Sequence, residues 1–240
     1  MTIDPVERDR LDNENMRRLL AFTLAQDSNC IDIGAHEGVI LREILRCAPN
    51  GRHIAFEPLP RFYDHLVREF PRVDVRCAAL STRGARAPSR TSRPIPATAA
   101  AASVPTRAMQ IETITVATDR LDSLLPADYV PALIKIDVEG AEREVIEGGI
   151  ETIARFRSVL IFEHGQGAAD RYGPRPEHMF ELLCRRAGLR IFDLDANGPY
   201  SEAEFVAAFD LGERWNFVAH RRRGLLPRAE RPILSCVASQ

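Results

Sequence analysis

The sequence predicts an α/β fold in which a mostly parallel β-sheet carries helices on both faces. Short apolar segments of strand length alternate along the chain with segments whose apolar residues recur at helical spacing. This alternation is typical of parallel sheets, because each helix returns the chain to the end at which the next strand starts. With 240 residues, 45% of them hydrophobic, the chain can form one large domain with its own core. No internal repeat divides it, and we therefore expect a single domain over residues 1–240.

The first half of the chain contains three predicted strands separated by helices. The helical segments end at recognisable stop signals, such as the Pro-Asn-Gly sequence at residues 49–51. In chain order we predict a helix over residues 11–26, a strand over 30–33, a helix over 39–47, a strand over 53–56, a helix over 61–70 and a strand over 73–77.

Residues 81–109 interrupt this alternation. The segment is rich in Ala, Ser, Thr, Pro and Arg, and it has few large apolar residues. A connection of this length inside a compact domain is usually functional or disordered. We therefore predict a variable, partly flexible cover over a site, with room for short strands.

The alternation resumes after this segment. Gly188 is a stop signal for one predicted helix, and Ser201 can cap another. In chain order we predict a strand over residues 132–137, a helix over 141–153, a strand over 158–162, a helix over 176–187, a strand over 189–194, a helix over 202–209 and a strand over 215–220.

Charge and composition argue against several classes of protein. The formal net charge of −2 and the pI near 6.3 argue against binding to a nucleic-acid backbone. No apolar run approaches the roughly 20 residues of a membrane helix, and the charged N-terminus does not resemble a secretion signal. The cysteines are odd in number and include no CxxC pair, so neither a zinc site nor a disulfide framework is indicated. We expect a cytoplasmic protein with no membrane or nucleic-acid partner.

Acidic residues follow four of the first five predicted strands of the alternation. In open α/β sheets, ligands bind at the carboxyl ends of the strands. Carboxylates gathered at one edge of a sheet repel each other and lower stability. Their presence is easier to explain if this edge binds a cation, a metal or a ligand rich in hydroxyl groups. The acidic residues at this edge are Asp32, Glu57, Asp137, Glu139, Glu142 and Glu163.

The turn after the first strand, Asp32-Ile-Gly-Ala-His-Glu-Gly38, differs from a dinucleotide-binding turn. Gly34 lets the backbone approach a ligand, and Gly38 lets the next helix pack closely on its strand. His36 occupies the place of the second glycine of the G-x-G-x-x-G motif. The Asp32 carboxylate lies where a dinucleotide-binding turn presents backbone amides to a pyrophosphate. Glu57 lies where a carboxylate can accept both hydroxyls of a ribose. This combination favours a positively charged nucleoside without phosphates, such as S-adenosylmethionine.

Three stretches resemble the FkbM-type methyltransferases, a branch of the class I S-adenosylmethionine-dependent enzymes. They are the turn at residues 32–38, Ala55-Phe-Glu-Pro58 and Leu133-Ile-Lys-Ile-Asp-Val-Glu-Gly-Ala-Glu142. The Ile-Asp-Val-Glu-Gly-Ala-Glu stretch is the most specific, and weaker similarity extends the match to residues 29–220. His36 departs from the family, which usually has Asn there, and residues 81–109 match nothing in it.

The resemblance implies a Rossmann-like class I methyltransferase fold. This is a three-layer α/β/α arrangement around a seven-stranded, mostly parallel sheet whose last strand is antiparallel. It also implies methyl transfer, usually to a hydroxyl group of a sugar or natural-product scaffold. Carried onto this sequence, the cofactor-binding residues are Asp32, Gly34, His36 and Gly38 around the methionine part, Glu57 at the ribose, Ala78 and Ala79 at the adenine, and Asp137 beside the methyl and amino groups.

His164 is the candidate general base, and Asp137 is the second candidate catalytic residue. His164 follows a strand at the ligand edge, and a histidine has a suitable pKa for removing a hydroxyl proton. The alternative is a histidine hydrogen-bonded to a loop carbonyl. His36 could also act as the base, although we favour a cofactor-lining role for it. Lys135 faces the same side of its strand as Asp137, and we interpret it as the partner that keeps Asp137 ionised.

Asp137, Glu163 and His164 could together hold a magnesium ion. Oxygen ligands suit this ion, which could lower the pKa of a sugar diol, but no ligand spacing here is diagnostic. Glu139 is a further site candidate, whereas stabilisation by a helix dipole is sufficient to explain Glu142. We interpret Trp215 as a core residue and the arginines at residues 221–223 as a solvated tail.

Three other functions stay open. The first is N-methylation of a small-molecule amine. The second is a nicotinamide-dependent oxidoreductase of related topology, which shares the acidic residue after the second strand. The third is a non-catalytic module that keeps the nucleoside pocket.

Overall fold

A seven-stranded sheet forms the centre of the protein, and helices cover both of its faces. The computed structural model describes residues 4–94, 109–165 and 175–221. The strands are β1 (Asn29–Ile33), β2 (His53–Phe56), β3 (Asp74–Arg76), β4 (Ala79–Leu80), β5 (Ala85–Pro94), β6 (Met109–Asp119), β7 (Pro131–Ile136), β8 (Val159–Glu163), β9 (Arg190–Asp193) and β10 (Asn216–His220). The helices are α1 (Pro5–Thr23), α2 (Val39–Cys47), α3 (Pro60–Glu69), α4 (Leu121–Leu124), α5 (Glu142–Gly148), α6 (Ile150–Phe156), α7 (Pro176–Phe180), which continues as a π-helical segment Glu181–Arg186, and α8 (Glu202–Leu211).

The order of the strands confirms the predicted sheet. The order is β3-β2-β1-β7-β8-β10-β9, and β10 runs antiparallel to both of its neighbours. The chain therefore builds one half of the sheet outward from β1 and the other half outward from β7. The point at which the direction reverses lies between β1 and β7, which is where ligands bind in sheets of this type.

Each face of the sheet has its own core, because successive strand residues point to opposite sides. On one face, Cys30 of β1 and Leu133 of β7 pack with Leu19 and Leu20 of α1. The opposite core contains the alternate residues of the central strands together with apolar residues of α4 to α8. The two cores fix β1, β7 and β8 so that their carboxyl ends form a common edge.

The N-terminal helix starts earlier than predicted. It begins at Pro5 and ends at Thr23, instead of spanning residues 11–26. The Asp4 side chain accepts a hydrogen bond of 2.9 Å from the Val6 amide, and Pro5 occupies the first turn, where the missing amide proton costs nothing.

The helix predicted over residues 141–153 is divided into α5 and α6 at Gly149. A Cβ on Gly148 would lie 2.1 Å from the Ser81 carbonyl oxygen, and one on Gly149 would lie 2.8 Å from a Leu121 methyl group. These two glycines let the helical layer approach the end of β4 and α4 closely.

Residues 81–109 contain more regular structure than the predicted cover. β5 and β6 pair antiparallel from Ala85 opposite Thr118 to Pro94 opposite Met109, and β6 also pairs with the short strand β4. The Ile, Thr and Val residues of β6 favour an extended strand. The rest of the predicted cover, residues 95–108, lies outside the described residues, as do Arg222 and Arg223 of the predicted tail.

None of the described helices is both long enough and apolar enough to cross a membrane.

Candidate active site

A cleft follows the carboxyl edge of the sheet at the reversal between β1 and β7. It consists of two cavities, which we call the β1 cavity, of about 630 Å³, and the β8 cavity, of about 570 Å³. Four residues line both cavities, which therefore adjoin each other: Asn13, Ile40, Lys135 and Asp137.

Gly34 allows the turns after β1 and β7 to touch. Its φ is +77°, and a Cβ at this position would lie 1.8 Å from the Asp137 carbonyl oxygen. The Asp137 amide donates a hydrogen bond of 3.0 Å to the Ile33 carbonyl, and the Gly34 amide donates one of 2.9 Å to the Phe56 carbonyl. The glycine predicted for ligand approach thus also joins the two halves of the sheet beneath the cleft.

Replacing Gly34 with alanine is expected to lower the free energy of unfolding by about 2–5 kcal/mol, since a left-handed backbone costs roughly 1–2 kcal/mol and an overpacked contact roughly 1–3 kcal/mol. The matched control is Gly188→Ala. Gly188 has a similar φ of +69°, but among the described residues no heavy atom lies within 4 Å of the position that a Cβ would occupy. The control should therefore lose only about 1–2 kcal/mol in urea unfolding. Equal losses in the two variants would contradict a tight contact between the turns.

Glu57 lies at the end of β2 with both carboxylate oxygens held in place. Oε2 accepts the His36 amide at 2.9 Å, and Oε1 accepts the Leu59 amide at 2.8 Å. Burial raises the pKa of Glu57, and these two amide hydrogen bonds oppose the increase. The carboxylate lines the β1 cavity and keeps lone pairs for further hydrogen bonds.

His36 also lines the β1 cavity. Its backbone has a φ of +48°, and its ring contacts Phe62 with the ring centroids 3.7 Å apart. The amide hydrogen bond to Glu57 and this ring contact hold the turn in a left-handed conformation that non-glycine residues rarely adopt.

Part of the lining of the β1 cavity is apolar. It consists of Ala78, which precedes β4, Ala79 and Leu80 of β4, and Val116 of β6. This apolar lining suits a largely apolar ring system, whereas Glu57 suits hydroxyl groups.

Two residues of the predicted cofactor turn lie outside both cavities. Asp32 is 1% exposed, and its carboxylate lies under the turn, 3.4 Å from the Lys135 ammonium. Gly38 begins α2, and a Cβ there would lie 2.4 Å from the Phe70 ring. The expectation that Asp32 and Gly38 contact the cofactor is therefore corrected: Asp32 is the counterion of a buried lysine, and Gly38 permits helix packing.

Lys135 joins both halves of the cleft floor. Its ammonium lies 3.3 Å from Asp137 Oδ2 and 3.4 Å from Asp32 Oδ1, and it donates a hydrogen bond of 3.1 Å to the Gly34 carbonyl. Burial alone would lower the pKa of Lys135, but the two carboxylates together raise it. This arrangement agrees with the predicted structural role. Lys135 is also the only lysine in the sequence; a compact ammonium with three donors matches three partners in a way that a planar guanidinium does not.

Asp137 and Glu163 form a carboxyl pair at the floor of the β8 cavity. Asp137 lines both cavities, and Glu163, the last residue of β8, lines the β8 cavity. Burial and, after it, the adjacent, hydrogen-bonded Asp137 raise the pKa of Glu163 to about 8. At neutral pH Glu163 is therefore largely protonated.

His164 lies outside the cleft, in contrast to its predicted role. Only 2% of it is exposed, its amide donates to the Trp215 carbonyl, and its ring lies 4.8 Å from the Phe209 ring and 5.8 Å from the Phe205 ring, measured between centroids. Burial lowers the pKa of His164 to about 4. Since neighbouring residues at a strand end point to opposite sides, Glu163 faces the cavity and His164 faces α8. The assignment of His164 as general base is therefore corrected.

The predicted magnesium ligands are not brought together. Among the residues that the structure describes, no three His, Cys, Asp or Glu side chains are arranged to hold a metal ion. Asp137 and Glu163 adjoin each other, but His164 faces the opposite side of the sheet. The donor set does not fit the ion, and we derive no step that uses one.

The β8 cavity has a second wall, which the sequence analysis missed. It comes from α1 and the start of β10: Trp215 Nε1 donates a hydrogen bond of 3.1 Å to Asp9, and Asn216 Nδ2 donates one of 3.0 Å to Asp12. Trp215 is thus a cavity residue and not the predicted core residue. The position of Asp12 could have indicated this wall from the sequence. Asp12 lies on the same helical face as the buried Met16 and Leu19, and a charged residue on a buried face is unusual.

Buried ion pairs hold α1 over this cavity. Arg8 is 1% exposed and contacts Asp12 Oδ1 at 2.5 Å and Asp195 Oδ2 at 2.7 Å. Arg214 contacts the same Asp195 at 3.2 Å. The helix is therefore fixed to the loop after β9, and Asp9 and Asn13 stay at the cavity.

One protein-family model matches the sequence. The model of the methyltransferase FkbM domain matches residues 32–191. No curated protein matches the sequence. Among solved structures, methyltransferase FkbM from Methylobacillus flagellatus KT has a TM-score of 0.52 and 15% identity; the alignment covers 82% of this chain and 44% of that one. This chain thus spans less than half the length of that protein.

Two further solved structures have lower TM-scores. A TehB-like S-adenosylmethionine-dependent methyltransferase from Corynebacterium glutamicum has a TM-score of 0.47 and 12% identity, with 91% of this chain and 96% of that chain covered. The N-methyltransferase NodS from Bradyrhizobium japonicum also has a TM-score of 0.47 and 12% identity, with 90% and 98% covered.

Proposed function

The chain belongs to the FkbM methyltransferase family, and we propose that it transfers a methyl group from S-adenosylmethionine to a hydroxyl group of a small molecule, either a sugar or a natural-product scaffold. We treat residues 1–240 as one methyltransferase domain. The observation that carries the proposal is the charge and shape of the β1 cavity, together with its continuation past Asp137 into the β8 cavity.

The β1 cavity suits a donor that has hydroxyl groups and positive charge but no phosphates. Its charged lining consists of one lysine and five carboxylates: Lys135, Glu37, Glu57, Asp137, Glu139 and Glu144. Among the described lining residues there is no arginine, and Lys135 is already engaged by two carboxylates. A dinucleotide pyrophosphate would find no free cation here, which disfavours the nicotinamide alternative.

Each part of the cavity matches a part of S-adenosylmethionine. We assign the ribose hydroxyls to Glu57 and the adenine to the apolar lining at Ala78 and Ala79. We assign the methionine part of the cofactor to Gly34, His36 and Asp137. When bound, S-adenosylmethionine supplies a methyl group on an electrophilic sulfonium. The protein therefore has to align the acceptor oxygen with that carbon and exclude water.

The residues around the β8 cavity suit a hydroxyl acceptor. Trp215 offers an aromatic ring, and Asp9, Asn216 and Glu163 offer hydrogen-bond partners in the lining of the cavity. Arg214 forms ion pairs with Asp193 and Asp195. The described lining residues therefore include no unpaired cation that could bind the phosphate of a phosphorylated acceptor. The α1 helix closes one side and limits the access of water. An amine acceptor would be held here as an ammonium and would have to lose a proton before methylation.

We place the reaction in the cytoplasm, with no nucleic-acid partner. Cys30, Cys47, Cys77 and Cys184 are all free thiols, which fits a reducing compartment.

A transfer assay tests the proposal. The protein is incubated with methyl-labelled S-adenosylmethionine and a panel of sugars, hydroxylated natural products and amines, and the position of the label is determined by NMR. We expect label on oxygen, and calorimetry should detect binding of S-adenosylmethionine but not of NAD. Label on nitrogen would establish the amine alternative. Tight cofactor binding without transfer to any acceptor would favour the non-catalytic module.

A further inference from the structure

Glu163 has the position that the mechanism requires of a proton acceptor. It ends β8, faces the β8 cavity and lies against Asp137, the residue at which the two cavities meet. An acceptor molecule in the β8 cavity would present its hydroxyl group to this pair, next to the methionine end of the β1 cavity.

The two carboxyl groups of the pair differ in their surroundings. The Asp137 carboxylate has the Lys135 ammonium as its counterion, at 3.3 Å. Glu163 has no ion-pair partner among the residues that the structure describes. Of two adjoining carboxylates, the one without a counterion binds a proton more strongly and is therefore the stronger base.

The other charged groups around Glu163 reinforce this difference. Besides Asp137, the carboxylates that oppose its ionisation are Glu139, in the turn between β7 and α5, and Glu142, the first residue of α5. The remaining charged groups that line the cavity are Asp9 and Asp12 of α1, Lys135 of β7 and Arg214 before β10. Both cations are already engaged, Lys135 by Asp32 and Asp137, and Arg214 by Asp193 and Asp195.

We propose that Glu163 is the catalytic base of this enzyme and that Asp137, paired with Lys135, orients and supports it. This inference rests on the proposed function, because it requires a hydroxyl acceptor in the β8 cavity. The acceptor oxygen forms its bond to the methyl carbon, and the bond from that carbon to the sulfonium sulfur breaks, leaving its electron pair on a neutral thioether. The hydroxyl proton passes to the Glu163 carboxylate and then to solvent.

The raised pKa of Glu163 gives this mechanism a defined pH dependence. Glu163 must be ionised to accept a proton, and its ionised fraction grows as the pH rises. Because the pKa of Glu163 in the free protein is about 8, kcat/KM should increase between pH 6.5 and 9 and then level off.

The test compares Glu163→Gln and Glu163→Asp with the matched control Glu147→Gln, which removes a carboxylate that is paired with Arg143 at the surface. Gln resembles the protonated glutamic acid of the wild-type protein, so the variant should fold. We expect kcat to fall about 100-fold in Glu163→Gln, with the rising limb of the pH profile lost. Glu163→Asp should recover part of the rate and show a shifted limb, and the control should match the wild type. The affinity for S-adenosylhomocysteine should stay within about twofold in all three variants, because Glu163 does not line the β1 cavity.

A second readout does not depend on turnover. In carbon-13 NMR of the free protein with labelled glutamate, one carboxyl group should titrate near pH 8 and be absent from Glu163→Gln. The inference is overturned if Glu163→Gln keeps the wild-type pH profile with more than half of the rate, or if no glutamate titrates above pH 6.5. If the wild-type protein methylates only amines, the proposed function fails instead, and the two failures are distinguishable.

Discussion

Replacing Lys135 with methionine is expected to lower the free energy of unfolding by about 3–5 kcal/mol at pH 7.5, the usual cost of removing one partner of a buried ion pair. The substitution leaves Asp32, which is 1% exposed, without its counterion, and it removes the hydrogen bond to the Gly34 carbonyl. Methionine has nearly the same length, so the loss reports the charge and not a cavity. Urea unfolding followed by circular dichroism measures it.

The loss should depend on pH in a defined direction. Burial raises the pKa of Asp32 in the folded protein, and removing Lys135, which opposes this shift, raises it further. The pKa in the unfolded chain is about 3.9, so the folded variant binds more protons than the unfolded one. Stability therefore falls as the pH rises through the folded pKa, and the variant should be closer to the wild type at pH 5 than at pH 7.5.

The double variant with Asp32→Asn is the control. Without the Asp32 charge, Lys135→Met should cost less than half as much, because the buried carboxylate that it would leave unpaired is gone. Equal costs in both backgrounds would show that the ion pair does not carry the effect. Lys135→Arg should not restore the wild-type free energy of unfolding. A planar guanidinium cannot direct its donors to three partners that surround a single ammonium position.

Replacing Glu57 with glutamine is expected to weaken binding of S-adenosylmethionine about 100- to 1000-fold. Hydrogen bonds to a charged acceptor contribute roughly 1.5–3 kcal/mol each, and glutamine loses one of two such bonds and weakens the other. Both carboxylate oxygens already accept backbone amides, from His36 and Leu59. In glutamine an amide NH2 group replaces one of the two oxygens and would face a backbone N–H donor. The side chain must therefore also rotate away from that donor. Isothermal titration calorimetry measures the affinity.

Glu37→Gln is the matched control for this variant. Glu37 is an exposed residue of the same cavity, and the substitution removes the same charge. We expect less than a fivefold change in affinity, since a solvated charge at this distance is screened. An equal loss in both variants would mean that the cavity attracts the cofactor through its net charge alone, and the ribose assignment of Glu57 would then be wrong.

The regular part of the fold could be predicted because its signals are local. α2 and β2 have the predicted bounds, since apolar periodicity and the Pro-Asn-Gly stop define them within a few residues. The β5–β6 ribbon was not predicted at its full length. β5 contains arginine, proline and threonine instead of a clear apolar alternation, and its pairing with β6 joins residues that lie far apart in the sequence.

The site could be predicted where function follows from position along the chain, and less well where it depends on the direction of a side chain. Glu57 and Asp137 end their strands and line the cleft. His164 was assigned to the cleft because it follows a strand, but strand alternation allows only one of Glu163 and His164 to face it. Asp32 was misplaced for a related reason: its partner Lys135 lies 103 residues away in the sequence, and only the pairing of β1 with β7 brings them together.

The burial of Lys135 has a practical consequence for chemical modification. Because this sequence has no other lysine, the one lysine amine open to an acylating reagent is a shielded ammonium beneath the cleft. The rate at which Lys135 becomes acylated would therefore measure how often the edge of the sheet opens. Slower acylation in the presence of S-adenosylhomocysteine would show that the cleft opens less often when this ligand is bound.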